Sequence, residues 1–181
     1  MYIRTLTSAD AEIYRELRLQ SLLQNPEAFL STYESEFKIS IVTTRIRLEP
    51  ADDHFTLGAF DTEEKLVGII TFFRESRPKI LHKAHVYSVY VDPGTRQQGV
   101  GRLLMLELIS RAKALPGLEI LNLTLTSTNL PAKRLYESLG FICYGTEPRA
   151  MKLGEEYLDE DLMYLQIVPE PRREMEIIRH N

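Results

Sequence analysis

The chain has 181 residues, 44% hydrophobic and 27% charged, a composition typical of one globular domain with a sizeable core. Its 22 basic and 26 acidic residues give a net charge of −4, which argues against a dedicated nucleic-acid-binding protein. The single cysteine, Cys143, excludes an internal disulfide and a cysteine-based zinc site. This cysteine usage, a start without a signal-peptide pattern and the lack of a membrane-length apolar run predict a cytoplasmic protein that does not enter a membrane.

The amino-terminal part is predicted to begin with a strand and then to become helical. Residues 2–6 predict the strand, and a capping-box pattern that ends at Asp10 predicts a helix to about residue 24. We expect this helix to bury four apolar side chains, those of Ile13, Leu17, Leu22 and Leu23. Residues 32–49 predict two weaker helical pieces that are separated near Ser40.

The rest of the chain predicts a sheet interrupted by two helices. Strands are predicted at residues 54–61, 65–74, 82–91, 118–126, 141–144 and 157–168. A strongly apolar helix is predicted at residues 99–115, and a second one is capped by Asn129 and closed by Gly140. The order β-α-α-β-β-β-α-β-α-β-β predicts an α/β fold, in which one mixed sheet carries helices on its faces. We expect one domain over residues 1–168 and a charged, flexible tail over residues 169–181.

The turn that follows the apolar strand end Val91-Asp92-Pro93 carries the strongest indication of function. A short polar loop there opens a helix through Gly99 and Gly101. The two glycines leave backbone N–H groups uncovered at the helix N-terminus, where the helix dipole also places partial positive charge. Arg96 and Arg102 add full positive charges. This combination favours the binding of a phosphate group.

Two common nucleotide-binding motifs are excluded by the residues after the turn. A Rossmann fingerprint requires a third glycine where Leu104 stands, and a Walker A loop requires Gly-Lys-Ser/Thr where Gly101-Arg102-Leu103 stands. Taken alone, the Gly-x-Gly turn is equally consistent with a tight turn whose glycines only permit close packing. The choice between a ligand loop and a packing turn therefore depends on the surrounding sequence.

The surrounding sequence resembles the GNAT superfamily of N-acetyltransferases. The acyl-CoA loop of that superfamily follows a Val-x-Pro strand end and has the pattern Arg/Gln-x-x-Gly-x-Gly/Ala, which Arg96, Gly99 and Gly101 match. The second motif, an Asn followed by Ala, Tyr and Gly-Phe, matches residues 129–141. One helix and one strand separate the two motifs, as in the family, and the resemblance covers residues 2–168. The closing segment also resembles a bacterial branch of the superfamily.

This resemblance implies a GNAT-like fold and the transfer of an acetyl group from acetyl-CoA to a primary amine. The amine would belong to a small molecule, a protein N-terminus or a lysine, and it would attack directly without an acyl-enzyme. The family pattern implies that the glycine loop holds the pyrophosphate of CoA and that the preceding strand, splayed from its neighbour, pairs with the pantetheine arm. The residues expected to bind the cofactor are Val89, Tyr90, Val91, Arg96, Gln97, Gln98, Gly99, Val100, Gly101, Arg102, Asn129 and Tyr136.

The resemblance assigns catalysis to Tyr136 and leaves the general base open. Tyr136 corresponds to the family tyrosine that protonates the leaving thiolate, a task that suits a phenol protonated at neutral pH. Many members carry a base glutamate on the strand before the loop, but residues 82–90 include no carboxylate. His85 is therefore the expected base, with Glu34 and Glu36 as further candidates.

The expected partners are acetyl-CoA and an amine, without nucleic acid, membrane or metal, and the resemblance allows a homodimer. Two other interpretations remain open. The missing strand carboxylate favours a non-catalytic acyl-CoA-binding sensor, against which the intact Tyr136 argues. A plain structural domain with an empty turn is the second alternative.

Overall fold

A computed structural model describes residues 1–167. The strands are β1 (Tyr2–Thr5), β2 (His54–Phe60), β3 (Leu66–Arg74), β4 (Lys83–Val91), β5 (Ile120–Thr126), β6 (Ile142–Leu153) and β7 (Glu156–Gln166). The helices are α1 (Ala11–Gln24), α2 (Tyr33–Phe37), α3 (Ile41–Leu48), α4 (Val100–Ala114) and α5 (Leu130–Ser138). The predicted fold class and the order of its elements are confirmed, including the break between α2 and α3, where the Ser40 side chain accepts a hydrogen bond from Thr43 N–H.

The strands form one seven-stranded sheet in the order β1-β2-β3-β4-β5-β7-β6. Neighbouring strands run antiparallel except β4 and β5, which run parallel because α4 crosses between them. In the described part of the chain, no helix is long and apolar enough to cross a membrane.

Both faces of the sheet are covered, so the central strands are apolar on both sides. One core gathers residues of α4 with one face of β2, β3 and β5, and includes Leu57, Ile70 and Leu104. The other core packs α1 and α3 on the opposite face, where it includes Leu17 and Ile69. Neighbouring residues such as Ile69 and Ile70 therefore point into different cores, as the twofold repeat of a strand requires.

The sheet splits between its two parallel strands. The register of β4 with β5 runs only from Lys83 opposite Ile120 to His85 opposite Asn122. Beyond His85, β4 continues to Val91 without a strand partner on that side. The splaying of this strand that the family resemblance implied is therefore present, and it opens a gap in the sheet.

Two details differ from the predictions, and a third lies outside the described residues. Ile13 and Leu23 of α1 are exposed, at 40% and 62% of their surface, because α1 packs on the sheet through the stripe that contains Leu17 and Leu22. Strand β6 is three times as long as its predicted range of residues 141–144, and it forms a long hairpin with β7 around Gly154. The predicted strand end at residue 168 and the predicted tail at residues 169–181 lie outside the described residues.

Candidate active site

A groove of about 700 Å³ lies where β4 and β5 separate. Its walls come from β4, the start of α4, helix α5 and the turn after α1. Every residue expected to bind the cofactor lines this groove except Gln98, whose side chain instead donates a hydrogen bond to the Gly94 carbonyl. The structure thus brings together residues that are up to 47 positions apart in the sequence, from Val89 to Tyr136.

One end of the groove is built as an anion site. The backbone N–H groups from Gln97 to Arg102 donate no hydrogen bond to any described residue. They surround the N-terminus of the 15-residue helix α4, where the helix dipole adds positive charge. Gly99 adopts a φ of 80°, a left-handed conformation that glycine adopts without strain, and the loop depends on it for its shape. Unpaired donors in such a concave turn are well suited to phosphate oxygens.

Two arginines stand beside these donors, and both already have protein partners. Arg96 donates to the side-chain oxygen of Asn25 at 2.7 Å and to the carbonyl of Val91 at 3.1 Å, so it ties the turn after α1 to the end of β4. Arg102 donates to Ser138 at 2.9 Å. Their charges favour an anion at this end, while their hydrogen bonds hold the walls of the groove in place.

The middle of the groove runs along the unpaired side of β4. A bulge interrupts the pairing of β3 with β4 where Thr71 lies opposite Tyr87 and Ile69 opposite Tyr90. Ser88 in this bulge has a φ of 52°, which is unusual for a residue with a side chain. The bulge lies beyond His85, the last residue of β4 that pairs with β5, and Val89, which follows Ser88 within the bulge, lines the groove.

Tyr136 stands at the inner end of the groove. Its side chain is 6% exposed and packs against Phe141 at a centroid distance of 5.9 Å. Burial strongly raises the pKa of its phenol, which is therefore protonated at neutral pH. The phenol has no hydrogen-bond partner within residues 1–167. Asn129 begins the helix that carries it, since its side chain accepts a hydrogen bond from Ala132 N–H at 3.2 Å.

A second cavity, of about 320 Å³, adjoins the groove. Phe29, Val89 and Tyr136 line both spaces, so the two meet at the inner end of the groove. The second cavity carries two charged side chains, those of Arg18 and Glu160. Its remaining polar lining includes Tyr87, Ser88 and Ser31.

Glu160 is the carboxylate that the sequence interpretation missed. It lies on β7, opposite Thr126 of β5 and Glu147 of β6. Burial raises the pKa of its carboxyl, and the neighbouring Glu147 carboxylate raises it further. A carboxylate with a raised pKa beside a reactive site is a suitable proton acceptor.

The structure does not bring His85 into either space. Its Nε2 lies 3.1 Å from the Glu75 carboxylate, and its ring stacks on Tyr87 at a centroid distance of 5.6 Å. Only Tyr87 of these three residues lines the second cavity. Glu34 and Glu36 line neither space, and Glu36 faces Arg47 at 3.9 Å. We therefore do not retain these three candidates for the general base.

The turn after α1, which begins where the predicted helix ends, lines the groove. Asn25, Glu27, Ala28 and Phe29 line the groove, and the Thr126 hydroxyl donates to the Glu27 carbonyl. This bond joins the turn to the end of β5 across the gap in the sheet. Within the described residues no group of three or more His, Cys, Asp or Glu side chains could hold a metal ion.

Residues 14–141 match the acetyltransferase (GNAT) family. A segment of 62 residues is 39% identical to the [ribosomal protein bS18]-alanine N-acetyltransferase of Escherichia coli strain K12; it spans 34% of this chain and 41% of that relative. The fold is similar to that of an acetyltransferase of the GNAT family from Streptococcus pneumoniae, with a TM-score of 0.84 and 24% identity over 92% of this chain and 99% of that chain.

A second solved structure is similar over most of its length and contains the cofactor. It is a phosphinothricin acetyltransferase from Sinorhizobium meliloti in complex with acetyl-CoA, with a TM-score of 0.78 and 20% identity over 91% of this chain and 87% of that chain. The family match covers more than half of the chain and includes both the glycine loop and Tyr136. The chain belongs to the acetyltransferase (GNAT) family.

Proposed function

We propose that this single-domain protein transfers the acetyl group of acetyl-CoA to a primary amine. The observation that carries the proposal is the continuity of the site. Six unpaired backbone N–H groups lie at one end of the groove, the free side of β4 follows, and a buried phenol with a second, charged cavity lies at the other end. The N–H groups suit the pyrophosphate of acetyl-CoA, and the free side of β4 suits its pantetheine arm. The phenol and the second cavity suit the thioester and the amine.

The pyrophosphate of acetyl-CoA would bind the N–H groups of residues 97–102. The pantetheine arm would extend along the unpaired side of β4 like an added strand, beside Val89 and Val91. A backbone N–H near the bulge at Ser88 would donate a hydrogen bond to the developing oxyanion of the thioester carbonyl. The acetyl group would then lie where the groove meets the second cavity.

The amine would enter through the second cavity. Glu160 takes a proton from the ammonium, and the free amine nitrogen attacks the thioester carbonyl carbon. A C–N bond forms and the C–S bond breaks, so that the electron pair of that bond goes to sulfur. Tyr136 donates its proton to the leaving thiolate, and the nitrogen gives up its second proton to become an amide. That second proton restores the Tyr136 phenol, and Glu160 releases the proton it took to solvent. The net reaction yields the acetamide, CoA with a free thiol and one proton.

The test is release of free CoA thiol from acetyl-CoA during incubation with a panel of primary amines. We expect release that depends on one class of amine, together with a product heavier than the amine by one acetyl group. Binding of acetyl-CoA by calorimetry without turnover on any amine would overturn the enzymatic proposal and favour an acyl-CoA sensor.

A further inference from the structure

Among residues 1–167, Arg18 is a buried cation without a counter-ion. It lies on α1 and is 6% exposed. Its Nη1 is fully enclosed and has no hydrogen-bond partner among the described residues. No carboxylate of residues 1–167 lies within 4.0 Å of its guanidinium. Its guanidinium lies over the ring of Phe29, whose centroid is 4.6 Å from Cζ, and its charge also acts on the nearby Tyr14 phenol.

Burial of a charged group without a partner is unfavourable, since the group loses its hydration and gains no compensating charge or hydrogen bond. A cation–π contact recovers only a small part of that loss. Buried arginines in proteins therefore normally pair with carboxylates or phosphates, for which the planar guanidinium offers several donors. The missing partner of Arg18 points to an anion that residues 1–167 do not supply.

The position of Arg18 identifies where that anion would lie. Arg18 lines the second cavity, and so does Phe29, over which its guanidinium is placed. Glu160 and Tyr136 line the same cavity. One small space thus presents a cation, a carboxylate and the phenol that we assign to catalysis.

We propose that the acceptor is a small zwitterion of the amino-acid type. Its amine faces Glu160 and the acetyl group, and its anionic group, a carboxylate or a phosphorus oxyanion, pairs with Arg18. The cavity volume of about 320 Å³ suits a small molecule. This inference rests on the proposed acetyl transfer and specifies its acceptor.

The experiment compares matched amines with the wild-type protein, by release of CoA thiol. Each amino acid is paired with the amine that lacks its carboxylate, and an aminoalkylphosphonate and a peptide with a free N-terminus and an amidated C-terminus are included. We expect kcat/KM to be at least tenfold higher for the anionic amines than for their neutral counterparts, and low for the peptide. The phosphonate distinguishes a carboxylate site from a phosphorus oxyanion site.

Substitution of Arg18 tests whether this side chain causes the preference for anionic amines. Arg18→Met keeps the length of the side chain and removes its charge, and Arg15→Met is the matched control, because Arg15 lies one turn earlier on α1 and lines neither space. We expect Arg18→Met to lower kcat/KM for the anionic amine at least tenfold more than for its neutral counterpart, and Arg15→Met to leave the ratio of the two values at its wild-type level.

Two outcomes would contradict the inference in different ways. In the first, the neutral amines or the peptide react as fast as the anionic amines, with no effect of Arg18→Met on the ratio of rates. That result would contradict the anionic acceptor and leave the proposed acetyl transfer in place. No CoA release with any amine would overturn the proposed function and the inference with it. The comparison of substrates in the wild-type protein decides the question even if Arg18→Met does not fold.

Discussion

The Asp161 carboxylate accepts a hydrogen bond of 2.7 Å from the Lys133 ammonium and thereby joins strand β7 to helix α5, one turn before Tyr136. The same carboxylate accepts hydrogen bonds from the hydroxyls of Ser127 and Thr146. Asp161 is 3% exposed, so these three bonds form inside the protein, where they hold the end of β5, helix α5 and strand β6 together. The helix that carries the proposed general acid depends on this cluster for its position.

We expect Asp161→Asn to lower the melting temperature by several degrees. The amide keeps the size of the carboxylate but loses its charge, and it offers one acceptor oxygen where three donors converge. Thermal unfolding followed by circular dichroism measures the effect. Asp159→Asn, at an exposed position two residues earlier on β7, is the matched control. Its amide oxygen can still accept the hydrogen bond from Arg149 N–H, so the melting temperature should be nearly unchanged.

The same cluster makes stability depend on pH. The hydrogen bond from Lys133, with those from Thr146 and Ser127, holds the pKa of Asp161 below its ordinary value. A carboxyl with a lowered folded-state pKa stabilises the fold above its unfolded pKa of about 3.9, and this contribution is lost as the pH falls through the folded value. Urea unfolding from pH 6 to pH 3 should therefore show a smaller loss of stability in Asp161→Asn than in the wild type. Equal losses in both proteins would remove Asp161 from the acid response.

A negative charge at Gly101 should block the cofactor. The Cβ of a new side chain would lie 3.4 Å from Leu135 Cδ2 and 3.7 Å from Val91 Cγ2, which are ordinary contacts, so the fold should tolerate it. In Gly101→Glu the carboxylate would face the unpaired N–H groups where we place the phosphates. We expect calorimetry to show an affinity for acetyl-CoA at least tenfold lower, about 1.4 kcal/mol.

Gly101→Gln is the control for that substitution, since it adds the same bulk without the charge. A larger loss in Gly101→Glu than in Gly101→Gln identifies an anionic ligand at this end of the groove. Equal and small losses would mean that the phosphates bind elsewhere.

The residues that line the groove could be grouped from the sequence because most of them lie in two short segments. The glycine loop and the strand before it form one continuous stretch, and the Asn129 cap and Tyr136 lie on one short helix. Local rules for turns, caps and helix termini apply to such segments directly. The overall order of elements followed from the same local patterns.

The acceptor side could not be predicted because distant segments form it. From the sequence, Arg18 is an ordinary arginine on an amphipathic helix. Its contact with the ring of Phe29 is visible only in the folded protein. Glu160 belongs to an acidic stretch that is typical of a solvated turn, and only the long β6–β7 hairpin carries it to the end of β5. The sequence favours His85 because it is the histidine nearest to the glycine loop, but its Nε2 lies 3.1 Å from the carboxylate of Glu75, on the loop after β3.

Glu160 should govern the acidic limb of the rate profile. Glu160→Gln removes the proton acceptor and keeps the shape of the side chain, so we expect kcat to fall at least a hundredfold at neutral pH. In the wild type, kcat should rise with pH through the raised pKa of this carboxyl, above the ordinary glutamate value of about 4.3. Steady-state rates from pH 5 to pH 9 measure both effects.

His85→Ala is the control for the base assignment. His85 lines neither space, so this variant should keep the wild-type pH profile and the affinity for acetyl-CoA. A flattened acidic limb in His85→Ala, with a normal limb in Glu160→Gln, would return the base role to the histidine.

Tyr136→Phe should remove the proton donor while the ring stays in place. The ring packs on Phe141, and its hydroxyl donates to no described residue, so the melting temperature should change little. General acid catalysis typically contributes about 10²–10⁴-fold, and we expect kcat to fall by that factor with unchanged affinity for acetyl-CoA. Tyr144→Phe, at a tyrosine 61% exposed on β6, is the matched control and should retain full activity.

The acidity of the leaving thiol gives a sharper test of Tyr136 as the general acid. A thioester whose thiol is more acidic than that of CoA releases a thiolate that needs less protonation, so the rate loss in Tyr136→Phe should shrink with such a donor. A purely structural tyrosine would give the same loss with both donors, because a displaced helix harms each reaction equally. Full turnover in Tyr136→Phe with acetyl-CoA would show that the proton comes from another group. A much lower melting temperature would instead assign the hydroxyl to the fold, since the phenyl ring already fills the space beside Phe141.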